Sequence, residues 1–310
     1  MKISEPVRLI GILCAPLLLA AVVFAPSAFA PRPPRVLKVT VIDVGQGDSI
    51  LIETPGGRTM LIDGGPASPE ENGAREHDAG AAIVLPFLRH EGIRRVDIVA
   101  LTHPHADHSG GLATVVRAMP VGIVLDGSVL DDPDPVYLAF RDAVSRRSVC
   151  IDAAREGQKM DLGDGVSVEC LNPPVLGRPY GVDLGNDTVN NYSSVYRLTY
   201  GRVHFLFDGD AEEDAEKRMI SAGQTLRADV LKCGHHGANN ATSNEWLDAV
   251  RPSIALISCG AHNRYGHPGR HTLARLDSRG IKTFITARDG AITLTTDGNA
   301  ITATAERLDK

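Results

Sequence analysis

The run VDIVALTHPHADHSGG (residues 96–111) sets an apolar strand directly ahead of a loop carrying His103, His105, Asp107 and His108. A mainly apolar run of this kind reads as a buried strand. Polar ligand residues placed straight after it would stand on a rigid base. Histidines two apart in extended backbone point the same way and can grip one cation, leaving Asp107 and His108 for a second nearby. Such a loop constrains the rest of the chain, because a two-cation site needs further ligands from distant segments.

Two other apolar runs end in the same manner. FLFDGDAE finishes with Asp208 and Asp210, and a carboxylate there could bridge two cations; LKCGHHG finishes with His235 and His236. Taken alone, Asp210 reads equally well as a helix N-cap, and the histidine pair as surface residues. Beside the first cluster, both read as ligand sources. Asp43 and Asp48, flanking a Gly-rich turn, and Asp63 before two glycines are expected to fix loops beside the site rather than to bind metal.

From residue 37 onward LKVTVIDV, SILIET and TMLIDGG alternate as strands. Further strands are expected at residues 166–171, 193–200 and 202–208, with three short ones closing the chain. Helical spacing covers AGAAIVLPFLRHEG, SGGLATVVRAM, residues 136–147, DGDAEEDAEKRMISAG and HTLARLDSRG. Strands grouped in both halves, with helices between and after, read as an α/β fold of sheets packed on each other with helices outside. No linker breaks residues 36–310, so one domain is expected there, preceded by a stiff linker at 31–35.

Residues 1–30 have the layout of a secretory signal: Lys2 and Arg8, an apolar run over residues 9–25, and Ala-Phe-Ala at 28–30. Pro31 after the cut and the length of the apolar run make an uncleaved membrane anchor the alternative. Either way a secreted or periplasmic location is expected, tethered through residues 9–25 if the segment stays. Net charge is −6, or −7 without residues 1–30. That disfavours a long non-specific grip on a nucleic-acid backbone, while bound cations would still allow an encounter with a phosphodiester. Cys150, Cys170, Cys233 and Cys259 allow two disulfides or four free thiols. Cys233 and Cys259 pair naturally if their strands are neighbours.

H-x-H-x-D-H after a strand, then an aspartate and a histidine, resembles the metallo-β-lactamase superfamily. VIDVGQGDSILIETPGGRTMLIDGG, THPHADHSGG, NNYSSVYRLTYGRVHFLFDGDAE, DVLKCGHHG and NRYGHP, in that order, resemble more narrowly the hydrolase domain of ComEC-type DNA-uptake proteins. The resemblance implies an αββα four-layer sandwich of two mixed β-sheets. It implies two divalent ions, Zn²⁺ or Mn²⁺, with His103 and His105 on one, Asp107, His108 and His236 on the other, and Asp210 bridging. Two departures stand out. A single apolar segment cannot form the membrane channel of those proteins, and Asn190-Asn191-Tyr192-Ser193 stands where many members carry another metal-binding histidine.

The implied chemistry is hydrolysis by cation-activated water, with Asp107, His235 and His267 as catalytic candidates. Asn191, Ser193, His235 and His267 are the candidates for holding the substrate. The expected substrate is a phosphodiester, single-stranded DNA included; nothing in the sequence points to a protein partner. Another ester or amide (a phosphorylcholine-type esterase, a lactonase, a β-lactamase) and a non-catalytic metal-binding module are the competing readings.

Overall fold

The computed structural model describes residues 36–69, 76–128, 134–174 and 189–307. The expected leader and linker, residues 1–35, lie outside the described residues. Six strands come first: β1 (Leu37–Val41), β2 (Ile50–Glu53), β3 (Thr59–Ile62), β4 (Val96–Leu101), β5 (Val121–Asp126) and β6 (Cys150–Asp152). A second set follows: β7 (Lys159–Gly163), β8 (Val166–Asn172), β9 (Val195–Tyr200), β10 (Val203–Phe207), β11 (Val230–Lys232), β12 (Ile254–Ile257) and β13 (Lys282–Ile285). The chain then returns with β14 (Ile292–Thr296) and β15 (Ile301–Ala305).

One sheet runs β15-β14-β1-β2-β3-β4-β5-β6 and the other β13-β12-β11-β10-β9-β8-β7. Both are mixed. β3 to β6 pair in parallel, as do β10 to β13, and the remaining pairs are antiparallel. Parallel neighbours need crossovers, and helices supply them.

Strict alternation decides which layer each side chain enters. Ile50 and Ile52 of β2, Met60 and Ile62 of β3, and Phe205 and Phe207 of β10 point between the sheets, where Tyr196, Leu198 and Val230 meet them. Leu51, Leu61, Val99 and Leu101 point the other way, against Leu88, Leu112, Val116 and Phe140 of the helices on that side. Leu206, Leu231 and Ile257 likewise meet Trp246, Leu247 and Leu276 on the far side. Three apolar layers therefore separate four layers of structure, and the fold is the expected αββα sandwich.

Local differences have local causes. The helix expected over AGAAIVLPFLRHEG is a π-helical turn at Gly80–Val84 followed by an α-helix at Leu85–His90, with Pro86 near the junction. The helix expected over SGGLATVVRAM is shorter, Leu112–Ala118, and a separate helical turn, Ala106–Ser109, comes before it. Gly110 and Gly111 lie between the two helices, and they allow close packing of loops. A Cβ on Gly111 would sit 2.1 Å from the Gly64 carbonyl and 2.6 Å from the Gly80 nitrogen. All four expected cysteines are free thiols. β11 and β12 are neighbours, but their register sets Lys232 beside Leu256, which leaves Cys233 opposite Ile257 and short of Cys259.

Candidate metal centre

The site forms where the parallel halves of both sheets end. β4 runs out at Leu101 into His103, β10 at Phe207 into Asp210, and β11 at Lys232 into the 3-10 turn Gly234–Gly237. Ligand groups collect at the carboxyl ends of parallel strands in this way because loops there share one crevice.

Asp210 is the hub, with 2% exposure. Its Oδ1 lies 3.3 Å from His108 Nε2, and its Oδ2 lies 3.4 Å from His236 Nε2 and 3.7 Å from His103 Nε2. Asp107 Oδ2 is 3.2 Å from His236 Nε2, and His103 Nε2 is 3.0 Å from His105 Nδ1. The six residues expected to hold metal are thus brought together. One ligand atom from each of Asp48, His108, Asp210 and His236, a ring nitrogen or a carboxylate oxygen, lies within 4.8 Å of the other three, so Asp48 joins the cluster as well.

Outer contacts fix which ring nitrogen faces inward. His108 Nδ1 lies 2.8 Å from Asp63 Oδ2, and His236 Nδ1 donates to the Ser258 carbonyl at 2.9 Å. Each ring is left with Nε2 aimed at the cluster, as metal-ligating histidines require. Asp63 also accepts from the Thr102 amide and hydroxyl, both at 2.8 Å. The expectation for Asp63 as a loop-fixing residue describes these contacts.

The donor set fits a divalent cation. Among the described residues, His108 Nε2, Asp210 Oδ1 and Asp48 Oδ1 are buried and no hydrogen-bond partner meets them, an arrangement that proteins keep where something else satisfies those atoms. Mixed imidazole and carboxylate donors suit first-row divalent ions. Electrostatics point the same way. Burial disfavours charge on His108 and His236, yet Asp210 with Asp107 and Asp63 around His108, and Asp210, Asp107 and Asp48 around His236, raise both imidazoles well above their ordinary value. Burial likewise works to raise Asp210, but His108 and His236 hold it well below the carboxylate range. A field that demands positive charge at this point would hold a cation. His103 differs: burial, helped by His108, pushes it well down.

Lys232 balances part of this negative charge. It is fully buried, contacts the Asp48 carboxylate and donates to the Gly209 carbonyl at 2.8 Å. Burial lowers its ammonium, but Asp48 and Asp210 more than reverse that. Neither Lys232 nor the inward placement of Asp48 was expected. A lysine ending the apolar run ADVLK was the available signal, since a buried ammonium needs a partner. The close approach that seats Asp48 depends on Gly47, whose φ is +128° and whose missing Cβ would fall 2.2 Å from the Asp107 carbonyl.

His235 and His267 sit at the rim. Both His235 (φ 44°) and His236 (φ 54°) occupy the left-handed region, which is strained for residues with a Cβ and marks functional backbone. His235 Nε2 lies 3.9 Å from Asp210 Oδ2, and its Nδ1 lies 2.8 Å from Glu212 Oε1. The His267 ring is 5.2 Å from that of His235 and 5.9 Å from that of His236. Burial, then His236 and His235, lower His267 to about 4.

Asn191 and Ser193 face the protein itself. Asn191 Oδ1 accepts from the amides of Glu212 at 3.3 Å and Ala215 at 3.0 Å, opening the helix Glu213–Ser221. Ser193 Oγ accepts from the Asp210 amide at 3.1 Å. Asp208 is sorted away from Asp210: its Oδ2 accepts from the Trp246 indole at 2.8 Å, and burial, with Glu216, raises it well above the carboxylate range.

Comparison with known proteins points to the same fold. The sequence profile of the Metallo-beta-lactamase superfamily matches residues 42–153. ComE operon protein 3 of Bacillus subtilis (strain 168) is 30% identical over 82% of this chain and 32% of its own length. Competence protein ComA of Neisseria gonorrhoeae is 31% identical over 90% of this chain and 35% of its own. The chain therefore spans about a third of these relatives. Among solved structures, CmlA, a diiron β-hydroxylase from Streptomyces venezuelae, superposes with a TM-score of 0.53 at 15% identity, covering 86% of this chain and 55% of CmlA. An isothiocyanate hydrolase from Delia radicum gut bacteria gives 0.50 at 15% identity over 86% of this chain and 99% of that one; both likenesses are of fold. Profile, four-layer sandwich and strand-end cluster coincide: the chain carries a metallo-β-lactamase superfamily domain, similar to part of the competence proteins it matches.

Proposed function

We propose that the chain is an exported hydrolase of phosphodiesters, nucleic acid in particular, working with two divalent ions, Zn²⁺ or Mn²⁺. The observation that carries this reading is Asp210, whose Oδ1 lies beside His108 Nε2 while its Oδ2 lies beside both His236 Nε2 and His103 Nε2. One carboxylate shared in this way suits a pair of cations. The names of the relatives, competence and recombination proteins among them, support nucleic acid as the substrate class. The leader-like residues 1–30 support delivery outside the cytoplasm, whether secreted, periplasmic or tethered.

Cations bound among His103, His105, Asp107, His108, Asp210 and His236 supply Lewis acidity toward a phosphoryl oxygen. The chain does the rest. His267, kept neutral at pH 7, offers a hydrogen bond to a phosphate oxygen without adding fixed charge. His235 stands 3.9 Å from Asp210, where its ring can pass a proton to the leaving oxygen. Asn191 and Ser193 act one step back, by setting the position of the Glu213 helix and of Asp210.

With Mn²⁺ or Zn²⁺ the full-length chain is expected to cleave bis-p-nitrophenyl phosphate and to degrade single-stranded DNA. Asp107→Ala is expected to lose at least about a hundredfold in rate. Turnover of nitrocefin or lactones with phosphodiesters left intact would overturn the reading.

A further inference from the structure

A row of aromatic rings leads from the cluster to solvent. The His108 and His236 centroids are 5.2 Å apart, and those of His236 and His267 are 5.9 Å apart. Tyr265 comes last, stacked on His267 at 5.7 Å with the planes 23° apart. Its side chain is 56% exposed, which among the described residues makes it one of two exposed large hydrophobic side chains, Leu138 being the other.

One exposed tyrosine needs no explanation by itself, but this one is held in place. Asn263 Nδ2 donates to the carbonyls of Gly260 at 2.8 Å and His267 at 2.6 Å, and its Oδ1 accepts from the amides of Tyr265 at 3.2 Å and His267 at 2.9 Å. Both donors and the acceptor of one side chain are thus committed to the loop that presents the ring. Arg264, itself exposed, lies 5.1 Å from the ring centroid and donates to the Tyr265 hydroxyl at 3.1 Å. A fixed, solvent-facing ring with a guanidinium beside it has its ordering cost met before any ligand arrives.

We propose that Tyr265 is a stacking platform for an unpaired nucleobase beside the scissile phosphodiester, with Arg264 as its cationic flank. The proposal rests on the phosphodiesterase reading and narrows its substrate to single strands. A duplex keeps the faces of its bases covered, whereas a single strand can lay one on a ring, and every base has such a face. Stacking also resolves a difficulty of charge. At −6 the chain is poorly suited to tracking a phosphate backbone, and an aromatic seat holds a strand with little help from net charge.

The test is binding in EDTA, read by fluorescence anisotropy, of the full-length chain to a labelled oligothymidylate and to an abasic oligonucleotide of equal length. Stacking of one base predicts that oligothymidylate binds about tenfold more tightly. Tyr265→Ala is expected to erase the difference with an unchanged melting temperature, and Tyr265→Trp to keep it. Equal binding of both probes by the unmodified chain, or a preference that survives Tyr265→Ala, overturns the platform. Hydrolysis of bis-p-nitrophenyl phosphate, measured alongside, separates the two ideas. Turnover without base preference removes the platform alone, and base preference without turnover removes the catalytic reading and leaves the platform standing.

Discussion

Lys232 has its ammonium fully buried against Asp48. Removing one partner of such a pair strands the other charge in a poor solvent, which typically costs about 3–5 kcal/mol. Lys232→Met should therefore lower stability by about that much in urea unfolding, and Lys232→Met with Asp48→Asn should lose clearly less than the sum of the two single changes. At this scale the sequence showed which residues were ligand-like but not which way they faced. Asp208 and Asp210 look alike in FLFDGDAE, yet one meets an indole and the other meets four histidines. Their separation follows from where the backbone turns after β10, and pattern does not encode that. Asp48 was assigned to loop support for the same reason: its role depends on Lys232, far away in the chain.

Strands were the most legible elements, because burial of one face imposes alternation and burial of both leaves a short apolar run. β8, β9 and β10 fall where the apolar runs predict them. β6, β7 and the helix Asn244–Val250 went unseen, being short or, for the strands, at sheet edges with exposed residues. Ser243 does cap that helix, its hydroxyl accepting from the Trp246 amide at 3.1 Å, and the serine was the missed signal. The helix Glu213–Ser221 lends a second group to the same turn: Glu216 accepts from the amides of Thr242 and Ser243. Burial outweighs those bonds and raises the Glu216 carboxyl from 4.5 to about 6. A carboxyl raised by folding favours the folded state fully below its unfolded value, and the benefit fades as pH climbs through the folded one. Relative to Glu216→Gln, the unmodified chain should thus lose about 2 kcal/mol of stability between about pH 4 and pH 7, followed by thermal unfolding at each pH.

For the molecule as a whole, the order of the motifs along the chain carried the architecture, since each ligand group is tied to the end of a particular strand. Nothing local could show that these ends belong to two different sheets. His103, His105, Asp107 and His108 follow β4 of one sheet, whereas Asp210 and His236 follow β10 and β11 of the other. A cation bound among them binds only the folded chain. At a free concentration about a hundredfold above its dissociation constant it should add about 2.7 kcal/mol. Mn²⁺ or Zn²⁺ should raise the melting temperature, EDTA should reverse the rise, and Asp210→Ala should be insensitive to both.

Because the hub carboxylate belongs to one sheet and most of the imidazoles to the other, a bound ion works as a rivet through the seam. Any sliding of the two halves past each other would tear its coordination apart before the apolar filling between them was disturbed. Geometry around the ion is thereby slaved to the alignment of the sandwich, and changes on the outer helices are felt at the reacting centre only insofar as they shear that seam.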